Sequence, residues 1–307
     1  MKCDILIIGA GPAGLTAGIY AARAKRDVII LERGVVGGQQ SLTDQIENYP
    51  GASSKGVSGR ELSHTMEEQA KAFGVKFIYD TVSTVKLKGD IKVIQTAFSG
   101  SIVAKAVIIA TGRDASGLGI PGEKEFQGKG VSYCATCDGA FFSGKEIAVV
   151  GGGNSALEEA IFLTKYASKV TIIHRRNEFR ADKIVQDRVR SHDKISTLLE
   201  YLPVEVKGNN TMESLVLKHV STREIKILNV SAVFFYVGNT PNTTIFSDEI
   251  KLNDKKYVLA GEDMKTNIAG VYVAGDVREK QVRQVVTAVS DGAIAAISAD
   301  QYLDELV

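Results

Sequence analysis

Residues 4–33 read DILIIGAGPAGLTAGIYAARAKRDVIILER and contain the pattern that decides the fold. An apolar run stops at Gly9, further glycines follow at Gly11 and Gly14, and an Ala-rich stretch leads to a second apolar run that ends at Glu32. A short apolar run before a glycine turn is typical of a buried parallel strand, and the Ala-rich stretch is typical of a helix packed closely on it. The segment therefore predicts a unit of β-strand, helix and β-strand.

The same pattern occurs a second time at residues 146–176, EIAVVGGGNSALEEAIFLTKYASKVTIIHRR, with Gly151, Gly153 and Ala156 in the corresponding places. In such a unit the first glycine makes the turn from strand to helix, the second lets the backbone approach a pyrophosphate, and the third lets the helix pack close to the strand. The helix N-terminus then presents backbone N–H groups and a positive dipole end to the phosphates. The repeat predicts an α/β protein with two dinucleotide sites.

The ends of the second strands distinguish the two sites. Glu32 lies at the end of the first unit, where a carboxylate can accept hydrogen bonds from both hydroxyls of a ribose. The second unit has His174, Arg175 and Arg176 in that place, and arginine suits a 2′-phosphate. HRRNEFR could also be a solvated basic turn, but its register with Glu32 favours NADPH. Because a flavin accepts hydride from a nicotinamide and passes electrons on, we expect FAD at the first site.

Composition restricts the function further. The chain has 307 residues, a formal charge of +1 and 44% apolar residues, as expected for a globular protein of two domains. The near-zero charge gives no support for nucleic acid as a partner, and the apolar runs are far shorter than a membrane span. The N-terminus enters the first strand without a signal-peptide pattern, so a cytoplasmic protein is expected.

Two of the three cysteines, Cys134 and Cys137, lie in the segment CATCDG (134–139). A dithiol with this spacing can close a small disulfide ring and store two electrons reversibly, and a helix N-terminus lowers the pKa of such a thiol. Zinc would need four ligands, and the remaining Cys3 and the scattered histidines lack zinc-ligand spacing, so no metal is expected. Cys3 is interpreted as a small buried apolar residue.

The whole chain resembles the low-molecular-weight, bacterial-type thioredoxin reductases of the pyridine nucleotide-disulfide oxidoreductase family. The most specific feature is the CATCDG segment followed closely by a second glycine fingerprint. The matching segments are GAGPAG (9–14), GGQQ (37–40), ENYPG (47–51), ATG (110–112), CATCDG (134–139), GGGNSA (151–156), HRRNEFRA (174–181), VGNTPNT (237–243), VYVAGDV (271–277) and RQVVTAVSDG (283–292).

The resemblance implies an α/β fold of two Rossmann-like dinucleotide-binding domains, with the FAD domain split in sequence and the NADPH domain inserted into it. The expected boundaries are 1–113 and 244–307 for the FAD domain and 114–243 for the NADPH domain with its redox CxxC. A long helix is expected from 283 to about 302, and residues 59–74 are expected to form an amphipathic helix without a site.

The family's binding residues carry over onto matching positions here. For FAD they are Gly9, Gly11, Pro12, Ala13, Gly14, Glu32, Arg33, Gly38, Gln39, Asn48, Ala110, Thr111, Gly112, Gly275, Asp276, Arg283, Gln284 and Val285. For NADPH they are Gly151, Gly153, Asn154, Ser155, Ala156, His174, Arg175, Arg176 and Arg180. Asp276 could otherwise be an ordinary turn aspartate.

The resemblance also implies the catalytic roles. Cys137 would face the flavin, Cys134 would exchange with the disulfide of a partner, and Asp138 would donate the proton to the leaving thiolate. Asp138 could also cap the following segment, and the two roles are compatible. Electrons would pass from NADPH through FAD and the Cys134–Cys137 disulfide to thioredoxin, with a rotation of the NADPH domain between the half-reactions and a homodimer as the assembly.

Other functions remain open at this stage. The partner could be another thioredoxin-like protein or a peroxiredoxin-linked disulfide, although the reductases of that kind carry extra N-terminal domains. A ferredoxin-fed relative would lack the NADPH fingerprint, and ferredoxin or flavodoxin reductases would lack the CxxC. The chain could also be a non-catalytic NADP(H) sensor, which would have no need of Cys134, Cys137 and Asp138.

Overall fold

The structure is a computed structural model that describes residues 1–306. In chain order its strands are β1 (Lys2–Ile8), β2 (Val28–Glu32), β3 (Lys76–Tyr79), β4 (Val82–Lys86), β5 (Lys92–Thr96), β6 (Ser101–Ile109), β7 (Arg113–Ala115), β8 (Val131–Ser132), β9 (Glu146–Val150), β10 (Lys169–His174), β11 (Ile195–Leu199), β12 (Tyr201–Gly208), β13 (Met212–His219), β14 (Ile225–Asn229), β15 (Ala232–Phe235), β16 (Asn239–Pro241) and β17 (Val271–Val273).

The helices are α1 (Pro12–Arg23), α2 (Gly59–Ala72), α3 (Ala135–Asp138), α4 (Asn154–Leu163), α5 (Lys183–Arg190) and α6 (Val285–Glu305). Short 3-10 helices cover Gly38–Leu42, Gly139–Phe142, Thr244–Phe246 and Gly275–Val277. The two helices expected at 59–74 and from 283 are confirmed as α2 and α6. Helix α6 begins at Val285 because Gln284 is its N-cap. The Gln284 side chain accepts the backbone N–H of Thr287, and the Thr287 side chain accepts the backbone N–H of Gln284, which together form a capping box.

The chain forms two compact units. The first consists of Met1–Asp114 and the described residues from Thr240 onward, and the second is Ala115–Asn239. The chain passes between the units in β7 and in β16, and these two strands pair with each other. The expected domain limits, 113/114 and 243/244, fall close to the two crossings.

The first unit contains a mixed sheet in the order β3-β2-β1-β6-β5-β4, with β17 also paired to β6. The pairs among β3, β2, β1, β6 and β17 are parallel, and those of β6 with β5 and of β5 with β4 are antiparallel. The side chains of β1 alternate between the two faces. Ile5 and Ile7 pack with the helices α1, α2 and α6, whereas Leu6 and Ile8 pack with a second core beneath β4, β5 and β17.

The second unit repeats this plan on a smaller scale. Its parallel sheet has the order β11-β10-β9-β15-β8, and a separate antiparallel sheet has the order β12-β13-β14. Ile147 and Val149 of β9 face α4 and α5, whereas Ala148 and Val150 face the antiparallel sheet. Both glycine fingerprints therefore lie at the carboxyl end of a central parallel strand, the edge at which α/β sheets bind ligands. The predicted α/β fold class is confirmed.

Candidate functional site

The first fingerprint joins β1 to α1 in the first unit. Gly9 has a φ of +107°, and a Cβ on it would lie 2.4 Å from the carbonyl oxygen of Ala110. A Cβ on Gly14 would lie 1.8 Å from the carbonyl oxygen of Gly9, so the first and third glycines are required by the turn and its packing. Gly11 is different, since a Cβ there would meet only the oxygen of Gly37, at 4.0 Å. The space over Gly11 at the start of α1 fits a pyrophosphate.

Glu32 is held beside this loop. One carboxylate oxygen accepts a hydrogen bond from the N–H of Ala10 at 2.7 Å, and the other accepts one from the N–H of Gly34 at 2.7 Å. Each oxygen has a further lone pair, and the group is half-buried at the end of β2. The carboxylate is thus oriented in advance for the hydroxyls of a ribose. The neighbouring Arg33 is exposed and pairs with Asp114 at 2.6 Å.

The segment that contains Gly38, which is also expected to bind FAD, contacts the same loop. The N–H of Gly37 donates to the carbonyl of Ala10 at 2.8 Å, and a Cβ on Gly38 would lie 3.6 Å from the Cα of Gly11. Gln39 and Asn48 are exposed. The side-chain amide of Asn48 donates a hydrogen bond to the side-chain oxygen of Gln284 at 3.1 Å. Gln284 directly precedes Val285, the first residue of α6.

The ATG segment is tied to the segment that returns to the first unit. Thr111 donates its hydroxyl to the carbonyl of Asn242 at 2.8 Å, and the Asn242 amide donates to the carbonyl of Thr111 at 3.0 Å. Gly112, with a φ of +63°, accepts the backbone N–H of Asn242 at 3.1 Å. These reciprocal bonds fix the edge of the sheet on which Ala110 meets Gly9.

The turn after β17 also reaches the fingerprint. Gly275 has a φ of +80°, and a Cβ there would lie 2.9 Å from the Cβ of Ala13 in α1. Asp276 accepts from the Nε of Arg113 at 3.0 Å. The buried Asp291 of α6 accepts from the N–H of Gly275 at 3.0 Å.

Asp291 also pairs with two cations, Arg278 at 3.1 Å and Lys280 at 2.8 Å. All three side chains are largely removed from solvent. This buried cluster could not be predicted from the sequence, because an aspartate in an apolar helix has no local pattern that indicates its partners.

Two side chains of the first unit leave buried polar atoms without a hydrogen bond among the described residues: the Nε of Arg283 and the Oε1 of Gln40. The Arg283 guanidinium lies over the ring of Tyr257, 4.3 Å from its centroid. Buried polar atoms are nearly always paired, so each indicates a partner outside the polypeptide. Together with the space at Gly11 and the oriented Glu32, they fit FAD.

The second fingerprint joins β9 to α4 in the second unit. A Cβ on Gly151 would lie 2.6 Å from the Cβ of Ala156, whereas Gly153 has nothing within 4 Å of such a position. Asn154 makes reciprocal bonds with Asp182: its amide donates to the carboxylate at 2.8 Å, and its oxygen accepts the Asp182 N–H at 2.7 Å. Ser155 is exposed beside the open position. This loop is also shaped for a phosphate.

The four basic residues expected to bind NADPH differ in their environment. Arg175, Arg176 and Arg180 are exposed, and the N–H of Arg180 donates to the carbonyl of Gly152 at 2.7 Å. His174 is only 5% exposed, and a Cβ on Gly152 would lie 2.4 Å from its ring. Burial, together with the charge of Arg180, lowers the pKa of His174 below its ordinary value. The arginines therefore supply the positive charge that suits a 2′-phosphate, and His174 does not.

Cys134 and Cys137 form a disulfide in the second unit. Cys134 is the N-cap of α3, which carries Cys137 and ends at Asp138. Cys134 is half-buried and Cys137 is exposed. Asp138 accepts a hydrogen bond from the hydroxyl of the buried Ser132 at 2.6 Å. A disulfide and an oriented carboxyl group thus lie on one helical turn, the set of groups that thiol–disulfide exchange requires.

Tyrosines on either side hold this segment in place. The hydroxyl of Tyr236 accepts the N–H of Ala135, the first residue of α3, at 3.0 Å. Burial raises the pKa of Tyr236 far above its ordinary value, and the charges of Glu159 and Asp138 add to this effect. Tyr133 donates its hydroxyl to the buried Glu123 at 2.7 Å. The contact of Tyr236 with Ala135 could not be predicted from the sequence, since the two residues are distant along the chain.

Two adjacent phenylalanines follow α3 and differ in exposure. The ring of Phe142 packs edge-on against Phe234 with centroids 6.0 Å apart, whereas Phe141 is 80% exposed.

Among the described residues no cluster of three metal-ligating side chains occurs, and no helix is long and apolar enough to cross a membrane. Cys3 is buried and outside the disulfide, as expected.

Comparison with known proteins gives a consistent family. The pattern of the pyridine nucleotide-disulphide oxidoreductases matches residues 3–292. Thioredoxin reductase of Peptoclostridium litorale is 44% identical over 309 aligned residues, covering 99% of this chain and 98% of that protein. Thioredoxin reductase of Bacillus subtilis (strain 168) is 44% identical over 99% of this chain and 95% of its own. The crystal structure of Lactococcus lactis thioredoxin reductase superposes with a TM-score of 0.96 at 44% identity, covering 99% and 100% of the two chains.

Proposed function

The chain belongs to the pyridine nucleotide-disulphide oxidoreductase family, and on that basis we propose the route by which it reduces its substrate. It is an oxidoreductase of the thioredoxin reductase type and uses FAD and NADPH. When bound, NADPH supplies a hydride, and FAD passes the electron pair to the Cys134–Cys137 disulfide. The proposal rests on one observation: the Cys134–Cys137 disulfide and Asp138 lie on the same helical turn.

The assignment of cofactors to units follows the two fingerprints. The first unit, with Glu32 and the unpaired Nε of Arg283, is proposed to bind FAD. The second unit, with the exposed Arg175 and Arg176, is proposed to bind NADPH and carries the disulfide. Since the dithiol has to react with two different partners in turn, we propose that the second unit rotates about the crossings in β7 and β16 between the half-reactions.

The exchange with thioredoxin is proposed to begin at Cys134. The Cys134 thiolate attacks a sulfur of the thioredoxin disulfide, which breaks that S–S bond and forms a mixed disulfide, and the released thioredoxin thiolate takes a proton. Cys137 then attacks Cys134, so that the Cys134–Cys137 bond forms again and thioredoxin leaves as a dithiol. Asp138 is proposed to protonate the thioredoxin thiolate released in the first step, and the proton that the Cys137 thiol loses balances the one taken up by the second thioredoxin thiolate. Exposure alone would favour Cys137 as the attacking sulfur, so this division of roles rests on the family resemblance.

Trapping the mixed disulfide tests the division. In C137S the attack on Cys134 cannot occur, so the reduced variant should accumulate a covalent complex with a single-cysteine thioredoxin whose thiol has first been activated as a mixed disulfide with thionitrobenzoate. The Cys134 thiolate attacks the thioredoxin sulfur and releases thionitrobenzoate, and mass spectrometry detects the complex. C134S should form none. A complex that forms in C134S and not in C137S would reverse the two roles while leaving the overall reaction intact.

A surface for thioredoxin is proposed at Phe141. A large aromatic side chain with 80% of its surface exposed, close along the chain to the reacting sulfurs, is suited to bury against a protein partner. Phe142, packed on Phe234, anchors the same short segment, so Phe141 is presented from a fixed backbone.

The location and assembly remain predictions. A cytoplasmic enzyme is expected from the N-terminal sequence, and a homodimer is expected from the resemblance. Light scattering coupled to size-exclusion chromatography would measure the mass in solution, and a mass of 32.9 kDa for the polypeptide at micromolar concentration would exclude the dimer.

Steady-state turnover tests the function as a whole. We expect the purified protein with FAD bound to oxidise NADPH only when oxidised thioredoxin is present, and to do so much more slowly with NADH. Absence of turnover with thioredoxin, with NADPH oxidation supported by another disulfide protein, would move the assignment to a different partner.

A further inference from the structure

Ser132 has a buried hydroxyl that contacts both the backbone of Cys134 and the carboxyl group of Asp138. It is the last residue of β8, it is 4% exposed, and it pairs with Phe234 of β15 in the parallel sheet. Its backbone is therefore fixed by the sheet, whereas Cys134 and Asp138 lie on the segment that follows. A hydroxyl on such a rigid support can orient the groups it contacts.

The hydroxyl has three polar contacts. It accepts the N–H of Cys134 at 3.1 Å, it lies 2.6 Å from Oδ2 of Asp138, and it lies 3.3 Å from the carbonyl oxygen of Cys134. A serine hydroxyl has a single proton, so it can donate to only one of the two acceptors at a time. The shorter contact, and the stronger one when the carboxylate is ionised, is with Asp138.

We propose that Ser132 is a positioning residue that fixes which oxygen of Asp138 carries the transferable proton. Because Oδ2 accepts the Ser132 hydroxyl, the carboxyl proton resides on Oδ1. When Asp138 protonates the leaving thiolate, the O–H bond at Oδ1 breaks, an S–H bond forms, and the carboxylate that remains is stabilised by Ser132. This inference rests on the proposed function of Asp138 as proton donor.

Other ionisable groups near Asp138 do not replace it. Tyr236 faces the same helix from the end of β15, and because its pKa is raised far above its ordinary value it stays protonated at neutral pH. Glu159 of α4 acts on Tyr236 and contributes to that shift. The segment Gly139–Phe142 that follows Asp138 has no ionisable side chain.

The test follows the reoxidation of the NADPH-reduced holoenzyme by oxidised thioredoxin in single-turnover mixing from about pH 6 to about pH 9.5. The variants are S132A, S132T and D138N, with S196A as the control. Ser196 bonds to Thr171 at 3.1 Å in the same unit, so S196A removes a side-chain hydrogen bond away from α3.

In S132A the rate constant should fall about tenfold across this pH range, because the carboxylate that remains after proton transfer has lost a charge-assisted hydrogen bond. S132T keeps the hydroxyl and should restore the wild-type profile, and S196A should match the wild type. If S132A does not fold, S132C carries the test, since its thiol is of similar size and is a weaker donor.

The outcomes separate the two hypotheses. If D138N reacts as fast as the wild type, Asp138 is not the proton donor and the proposed function of that residue fails. If D138N is slow but S132A, or S132C in its place, keeps the wild-type rate and pH profile, the inference about Ser132 is overturned. A slow S132A that S132T does not rescue would likewise overturn it, since that pattern indicates only damage to packing.

Discussion

At the scale of single residues, His174 shows how burial changes the meaning of a motif. The segment HRR predicts a run of cationic groups, but the His174 ring lies against Gly152 under the fingerprint, and only Arg175 and Arg176 remain in solvent. The histidine could not be separated from the arginines in the sequence, because its burial depends on the position of the loop that covers it. The motif therefore contributes charge through its arginines and packing through His174.

His174 should remain neutral where ordinary histidines titrate. An exposed histidine is half protonated at about pH 6.5, and the lowered pKa of His174 places its titration below that. The folded state then binds fewer protons than the unfolded state, so the stability linked to His174 is complete above about pH 6.5 and is lost as the pH falls below it. The Cε1 proton resonances of the histidines, assigned with H174Q, should show His174 titrating below the ordinary midpoint of about pH 6.5. A His174 resonance that titrates with the exposed ones would contradict this.

Arg175 and Arg176 should decide the preference for NADPH. Loss of a charged hydrogen bond to a phosphate costs about 1.5–3 kcal/mol, so R176A should raise the KM for NADPH by about tenfold or more. The KM for NADH, which lacks the 2′-phosphate, provides the internal control and should change little. Equal loss of affinity for both nucleotides would show that the arginine supports the fold of the loop rather than the phosphate.

Phe141 should determine the affinity for thioredoxin. Burial of an aromatic side chain against a partner contributes about 1.5–3 kcal/mol, so F141A should raise the KM for thioredoxin by about tenfold or more. Flavin reduction by NADPH should be unchanged. F98A is a matched control, since Phe98 is 92% exposed on the other unit, and it should behave as the wild type. An unchanged KM in F141A would exclude the proposed surface.

At the scale of elements, the two strand–helix–strand repeats were predictable because glycine spacing and apolar runs are local signals. Both β1-α1-β2 and β9-α4-β10 form as expected. The contacts that complete the site are not local. Ser132 and Tyr236 meet α3 because β8 and β15 are neighbours in the sheet, and no spacing in the sequence indicates that pairing. The cysteines could be predicted, but the hydroxyls that orient their helix could not.

The packing of α6 on α1 should depend on Gly292. A Cβ at this position would lie 2.2 Å from the carbonyl oxygen of Ala13, so the two helices could not keep their separation. G292A should lower the free energy of unfolding by about 1–3 kcal/mol and weaken FAD retention, because α1 carries the fingerprint. Denaturant unfolding and free flavin in the filtrate measure the two effects. G261A is the control, since Gly261 is not in the left-handed region and a Cβ there would meet only the side chain of Asp263, at 3.4 Å. Unchanged stability in G292A would contradict the close approach.

The buried cluster at Asp291 should be more sensitive than a surface ion pair. D291N would leave Arg278 and Lys280 without a counter-charge in a site that is almost closed to solvent. Breaking a buried pair from one side costs about 3–5 kcal/mol. The Tm of the variant should fall clearly, whereas D187N, in which the lost partner of Arg190 is exposed, should change it little. A Tm equal to that of the wild type would show that water reaches the cluster.

At the scale of the whole molecule, the sequence predicts a split domain and an inserted one, and the chain forms two compact units that cross at β7 and β16. The α/β fold class could be predicted because the fingerprint appears twice and the remaining segments match one family throughout. The antiparallel strands β4, β5 and β12 to β14 have weak alternation of apolar residues, so their pairing follows only from the folded units.

The central claim is that electrons leave the enzyme only through Cys134 and Cys137, and anaerobic rapid mixing tests it most directly. The holoenzyme and its C134S variant are each reduced with NADPH and then mixed with oxidised thioredoxin, while the flavin absorbance is followed. We expect NADPH to bleach the flavin in both proteins and thioredoxin to restore the oxidised spectrum in the wild type alone. Restoration at the same rate in C134S would contradict the account, because electrons would then reach thioredoxin without the disulfide.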